Sequence, residues 1–345
     1  MERRSKFDTR PTADQVTIAS EQQLQSFSAF LSGNPYKTLW EMHFPLQYGD
    51  FTLSDFTHKE VAALVSMCKD FIRNLQVNPD SADLFYGMTS HGHRVFEIVN
   101  TAGQGENTVW LASRSIRITS SVAHQVLHFA TEEGKRSFLQ KHLWSIKKED
   151  MESKGKIKGI AHGHKYEKAG ILAYQEYRRV FDSTVQVLDT VGLTFREDYP
   201  EFGCSPDGVA YSRFNPPRLV EVKCPLTLKF SSPEDFENVL SSKQRAAFCL
   251  RRDSMGNIGL KKEHPYYYQI QFSLSILGMD EADLVIYTLK GFMVLTIKWD
   301  MQWWEDNVEK LKKLHRTLIV PEYFLIRTPR GLLPIEVDCN EEWEE

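Results

Sequence analysis

The chain has 345 residues, a net charge of −4 from 42 Lys and Arg against 46 Asp and Glu, and 41% apolar residues. That is enough for one large or two ordinary domains with a buried core, and it excludes a bulk polycation, so any nucleic acid must be held by a local basic surface. No apolar run approaches the roughly 20 residues that span a bilayer, the basic start MERRSKFDTRPTADQ has no apolar segment behind it, and the five cysteines lack CxxC spacing. The expectation is a protein of an intracellular, reducing compartment, nucleus or cytoplasm, that is not secreted and has no membrane partner.

In chain order, THKEVAALVSMCKDFIRNL (57–75) opens with Thr57-x-x-Glu60 and continues at helical spacing, which predicts a capped helix. With the turn-rich segment 78–107 it suggests a mainly helical region, 1–105, of unassigned role. Helices are expected at about 119–130 and 135–149. KGKIKGIAHG (154–163) leads into a third helix over 163–181, whose apolar stripe reads Tyr166, Ala169, Ala173, Tyr177 and Val180. KRSFLQKHLWSIKK (135–148), KGKIKG and KKLHRT (312–317) are the basic runs, each by default a solvated helix face.

Strand-like segments follow at 183–195, 208–212 and 218–224, then a polar stretch with one helix, SPEDFENVLSS. HPYYYQIQFSLSILG (264–278) predicts a buried helix with Pro265 in its first turn. ADLVIYTLK and FMVLTIKW predict a strand pair across a Gly-containing turn, and an amphipathic helix closes the pattern. The fold class is α/β: a central mixed β-sheet flanked by helices, after the N-terminal helical extension.

The chemistry concentrates in GCSPDGVAYSRFNPPRLVEVKCP (203–225). Side chains two apart on a strand share a face, so Glu221 and Lys223 project together while Val220 and Val222 enter the core. Alone, this is a surface ion pair. Asp207 in a tight Pro-Asp-Gly turn and the flanking valines suggest instead a buried carboxylate pair with a lysine. Phosphodiester hydrolysis needs a nucleophilic water, charge neutralisation and a stabilised leaving oxygen. Magnesium supplies the charge through hard oxygen ligands, here Asp207, Glu221 and the Val222 carbonyl. Lys223 is placed to hold the water or stabilise developing charge.

This stretch resembles the core of the PD-(D/E)XK nucleases, and more narrowly their lambda-exonuclease or YqaJ-type viral recombinase branch. Three further segments are similar to that branch in the same order: WLASRSIRITSS (110–121), GHKYEKAGILAYQEY (163–177) and YYYQIQFSLSILG (266–278). The resemblance covers about 105–320 and implies a restriction-endonuclease-like core in a nuclease domain, 106–345. It implies a magnesium-dependent deoxyribonuclease, with Mn2+ able to substitute and two ions in the site, cutting 5′ to 3′ from duplex ends in recombination or DNA processing.

By the same resemblance, Asp207, Glu221 and Glu167 are metal ligands and Lys223 the catalytic lysine. Gln269 orients the water or scissile phosphate, and Arg114 receives a 5′ phosphate. Thr119 and Ser121, at the start of the next helix, are candidate anion-holding hydroxyls, and Lys229 a candidate contact to the DNA backbone. Arg117 departs from the small or apolar residue usual at its position and is a further candidate phosphate contact. His162 and His164 are placed beside Glu167, and Gln271 is read as structural. The resemblance further implies a homo-oligomer, a trimeric ring in related enzymes, and a single-strand annealing protein as candidate partners. Two other readings stand beside this one: a nucleic-acid-binding recombination module with little catalysis, and an endonuclease acting on structured DNA or RNA.

Overall fold

A computed structural model describes residues 94–98, 101–102, 107–144, 153–325 and 327–334. The helix expected at 57–75, and nearly all of the region 1–105, lie outside the described residues. The chain divides into two compact units, one formed by 1–75, 129–147 and 312–345, the other by 76–128 and 148–311.

In the first unit the described helices include α3 (Glu132–His142) and α9 (Val320–Leu325), the latter preceded by a π-helical turn, His315–Ile319. Glu322 of α9 is buried there and accepts hydrogen bonds from Trp144 Nε1 (3.0 Å) and from the Thr328 amide and hydroxyl (both 2.8 Å).

The second unit runs β1 (Val95–Glu97), α1 (Thr108–Ser115), β2 (Ile118–Thr119), α2 (Ala123–Leu127), α4 (Ser153–Arg179), β3 (Gln186–Leu188), β4 (Thr194–Arg196), β5 (Tyr199–Cys204), β6 (Gly208–Tyr211) and β7 (Arg218–Lys223). It continues through α5 (Phe236–Val239), α6 (Ser242–Ala247), the hairpin β8 (Leu250–Arg252) and β9 (Ile258–Leu260), α7 (Pro265–Leu277), β10 (Glu281–Thr288), β11 (Gly291–Lys298) and α8 (Met301–Leu314), whose last turn passes into the first unit. A mixed five-stranded sheet has the order β11-β10-β7-β6-β3, with β7 parallel to β10 and antiparallel to β6. The expected mixed sheet flanked by helices is the architecture found.

Val220 and Val222 lie on one face, in a buried cluster with Ile171 and Tyr174 of α4 and with Val285 of β10. On the opposite face, α7 lies over the end of β7 and makes a ring cluster in which Phe272 meets Phe202 of β5 and Trp304 of α8. Pro265 is the first residue of α7, where its missing N–H costs nothing, and Gly278 closes the helix in the left-handed region at φ 63°.

Three expectations are corrected. The helix of 163–181 begins at Ser153, so the basic glycine-containing stretch continues α4; its interspersed Lys, Ile and Ala are helix-compatible, and Gly159 and Gly163 open onto free space. The buried face of α4 is Gly170, Ile171 and Tyr174, while Tyr177 and Val180 are exposed, because close approach at Gly170 sets the helix rotation. The helix expected over 119–130 is a 3-10 turn (Ser120–Val122) followed by the five residues of α2.

A second sheet, β1-β4-β5-β2, was not foreseen. Its strand β5 reads YPEFGC, and Pro and Gly disguise it as a turn. Gly203 sits in a tight place there: a Cβ would stand 3.2 Å from the Thr194 carbonyl and 3.1 Å from Leu193 Cδ1.

Gly170 decides how closely α4 lies on β7. A Cβ there would sit 2.6 Å from Val222 Cγ1 and 3.3 Å from Tyr287 Cβ. Gly→Ala in a free helix stabilises by about 1 kcal/mol, but overpacking a close core costs about 1–3 kcal/mol. Gly170→Ala is therefore expected to lower the urea midpoint at unchanged m-value. A raised midpoint would show that the contact is looser than described.

Candidate active site

The site is built by strand register. Gly208 pairs with Val220 across β6 and β7, so the next residue pair outward sets Asp207 opposite Glu221. The Val222 amide donates to Asp207 Oδ2 at 2.8 Å and fixes that carboxylate. The N–H and C=O of a strand residue leave the same edge, so the Val222 carbonyl also faces Asp207. Glu221 is 1% exposed, and its Oε1 accepts from Lys223 Nζ and from Gln269 Nε2 of α7 (2.5 Å). Its other oxygen, Oε2, is buried with no hydrogen-bond partner.

An orphaned buried carboxylate oxygen is costly, and the electrostatics show the cost. Burial, then the Asp207 charge, push the Glu221 carboxyl up to about 7 against the pull of Lys223. Burial also raises Asp207, with Lys223, the Val222 amide and His164 opposing it. Burial and then Asp207 raise Glu167, with Lys223 and His164 opposing. For Lys223, burial alone would lower the pKa, but Glu221 and Asp207 outweigh it and the ammonium is held well above its ordinary range.

Glu167 reaches this group from the α4 face. It stands three, four and seven residues before Gly170, Ile171 and Tyr174, so it belongs to the helix face turned to the sheet. Among the described residues, no three His, Cys, Asp or Glu side chains converge closely enough to hold an ion by themselves. Asp207 and Glu221 oppose each other, and Glu167 joins them through the field rather than in a closed cage. Such an oxygen set suits a hard cation that keeps one or two carboxylates and fills its shell with water and substrate phosphate.

Arg114, at the end of α1, lies over the Trp110 ring at 4.4 Å, and Trp110 Nε1 donates to Ser205 Oγ (2.8 Å), two residues before Asp207. Burial lowers the Arg114 pKa, and its Nε is buried without a partner.

Thr119 and Ser121 are not joined to the acidic group. Thr119 is buried, its hydroxyl 3.4 Å from that of Ser121, and its side chain caps no amide of the 3-10 turn that follows. Lys229 lies over Phe230 (4.9 Å), close enough to His162 to oppose its protonation. Arg117 is corrected from phosphate contact to structural residue. It is fully buried, donates to the carbonyls of Pro200 (3.1 Å) and Ser113 (2.5 Å), and burial takes its pKa down to about 9. Gln271 is structural as expected, bonded to the Lys298 carbonyl (2.9 Å) and the Asp300 amide (2.8 Å).

Tyr266, not among the candidate residues, also stands at the site. Lys223 Nζ lies 5.0 Å from its ring centre. The signal was its place one helical turn before Gln269, which puts both on the α7 face that meets β7.

Residues 109–280 match the family model of the YqaJ-like viral recombinase domain. These residues form a YqaJ-like domain. The resemblance to the PD-(D/E)XK lambda-exonuclease and YqaJ branch, read from four motifs, is borne out by that match. The YqaJ-like domain holds all ten candidate residues, from Arg114 to Gln269. Among solved structures, the chain is similar to an alkaline exonuclease, LHK-Exo, from Laribacter hongkongensis, at 19% identity and TM-score 0.38 over 59% of this chain and 88% of that one. It is also similar to a phage-related exonuclease from Haemophilus somnus 129PT, at 12% identity and TM-score 0.38 over 61% of this chain and 94% of that one. No curated protein matches the chain.

The raised carboxyls give a pH test. Between the ordinary carboxylate range and about 7, the native state binds more protons than the unfolded chain, so these groups lower stability as pH rises through that window. Lys223 stays protonated throughout it and adds no slope. In metal-free buffer, Glu221→Gln is expected to gain in Tm on the wild type from about pH 5 to about pH 7. A difference that does not change with pH would show that Glu221 is not strained.

Proposed function

We propose that the chain is a metal-dependent deoxyribonuclease acting as a 5′–3′ exonuclease at duplex ends, with its nuclease domain in residues 106–345. One observation carries this reading: a buried glutamate with an orphaned oxygen faces a second carboxylate and a lysine at the carboxyl end of β7, within a YqaJ-like domain. Mg2+, replaceable by Mn2+ and bound as a pair, would take Asp207, Glu221, the Val222 carbonyl and Glu167, and would supply neutralising charge to the phosphate.

The chain's own groups do the rest. Lys223 presents fixed positive charge and N–H donors where a water attacks, and the Tyr266 ring limits where its ammonium points. Gln269 holds Glu221 in position through a donor that carries no charge. Arg114, half-buried on Trp110 with an unused Nε, receives the terminal 5′ phosphate. Thr119 and Ser121 supply hydroxyls to the neighbouring phosphates, and Lys229 holds the backbone beyond the cut.

The test is degradation of end-labelled linear duplex with Mg2+. Asp207→Asn and Lys223→Ala are each expected to slow it by on the order of 100-fold or more. Arg114→Ala is expected to remove a preference for 5′-phosphorylated over 5′-hydroxyl ends. Equal rates for wild type and both site variants would overturn the assignment. Cutting of a closed circle would make the enzyme an endonuclease, and binding without hydrolysis would make it a recombination module.

A further inference from the structure

We propose that a ridge of aromatic rings running outward from Lys223 is a stacking platform for unpaired nucleobases at the processed DNA end. The proposal deepens the nuclease reading and rests on it.

The ridge begins at Tyr266, whose ring holds Lys223. His264 caps α7, its Nδ1 accepting from the Tyr266 amide (3.1 Å), and its ring meets that of Tyr266 edge-on at 4.6 Å. Tyr268 then stands edge-on to His124 of α2, at 4.8 Å and 88°, and to His128 just past the end of α2, at 5.3 Å and 71°. Those two imidazoles stack on each other at 4.3 Å and 21°, fixed by a 2.8 Å hydrogen bond between His128 Nδ1 and the His124 carbonyl. His124 is near enough to His264 to oppose its protonation, behind burial as the main cause. Trp303 of α8 backs Tyr268 at 5.4 Å.

Three properties make this a platform rather than core. His128, at its outer end, is exposed, and His124 and Tyr268 are half-buried. Burial disfavours the charged form of the inner imidazoles, lowering His124 and taking His264 down to about 4. They therefore offer π-faces, which suit bases better than phosphates. The row also reaches the site through Tyr266, which lies over Lys223 one helical turn before Gln269.

A nucleotide frayed from the end of a duplex loses its stacking partner. The separated base needs an apolar face nearby, and rings accept any base because each has a π-face. The ridge thus predicts preference for frayed or unpaired ends without base specificity.

The experiment is fluorescence anisotropy of the full chain with Ca2+ on two labelled duplexes, one blunt and one with three unpaired nucleotides at its end. The wild type is expected to bind the unpaired end about 10-fold more tightly, the scale of one stacked base. His128→Ala and Tyr268→Ala should remove that preference while blunt-end binding stays unchanged, and Tyr268→Phe, which keeps the ring, should retain it. If Tyr268→Ala fails to fold, the exposed His128→Ala decides. Equal binding to both ends by the wild type, or a preference that survives His128→Ala, overturns the platform. If linear DNA is still degraded in either case, the nuclease reading stands without it. Loss of all DNA binding and hydrolysis in the wild type would overturn both.

Discussion

Everything at the centre of this molecule depends on burying Glu221. A carboxylate at the end of a central strand, opposite a second carboxylate, would ordinarily disrupt the sheet. Here one oxygen is satisfied by Lys223 and Gln269, and the other has nothing. That imbalance is the physical signature of a group arranged for a ligand rather than for stability. The surrounding fold can be read as what makes such a burial tolerable: two strands in fixed register, a helix on each face, and an amide clamping the partner carboxylate.

The opposite end of the same sheet shows what a satisfied arrangement looks like. Asp283, also fully buried, accepts from Tyr174 (2.7 Å), Thr296 (2.6 Å) and Arg218 (3.1 Å). Arg218 also pairs with Glu281. Tyr174 belongs to α4, the helix that brings Glu167 to the site. The network at the start of β7 and β10 thus pins the helix at Tyr174, two turns from Glu167, which stands beside the acidic group. Stability and chemistry are separated along the strands, with the open site at their carboxyl ends.

Much of this was legible in residues. The two-residue period of Leu219-Val220-Glu221-Val222-Lys223 told which side chains share a face, and the spacing from Asp207 made a hairpin the natural connection. Glu167 was legible as a helix residue, but its orientation was not: Gly170, which sets the rotation of α4, leaves no trace in apolar periodicity. The second sheet was hidden because β5 is held by burial and by Gly203, against its own propensity. Arg117 misled for a similar reason. A basic residue in a phosphate-binding motif reads as a contact, and only the packing of Pro200 and Ser113 around it shows a guanidinium used as an internal strut. Ring-to-ring contacts such as that of Tyr268 with His124 join segments far apart in sequence, and no local pattern announces them.

The account stands on the claim that the buried acidic pair is completed by a cation. The most direct measurement is calorimetric titration of the metal-free protein with Mn2+, in parallel with Asp207→Asn and Glu221→Gln. The account predicts binding by the wild type, release of protons near neutral pH as the raised carboxyls ionise, and loss of both signals in each variant. No binding by the wild type, or binding that both variants retain, would contradict it.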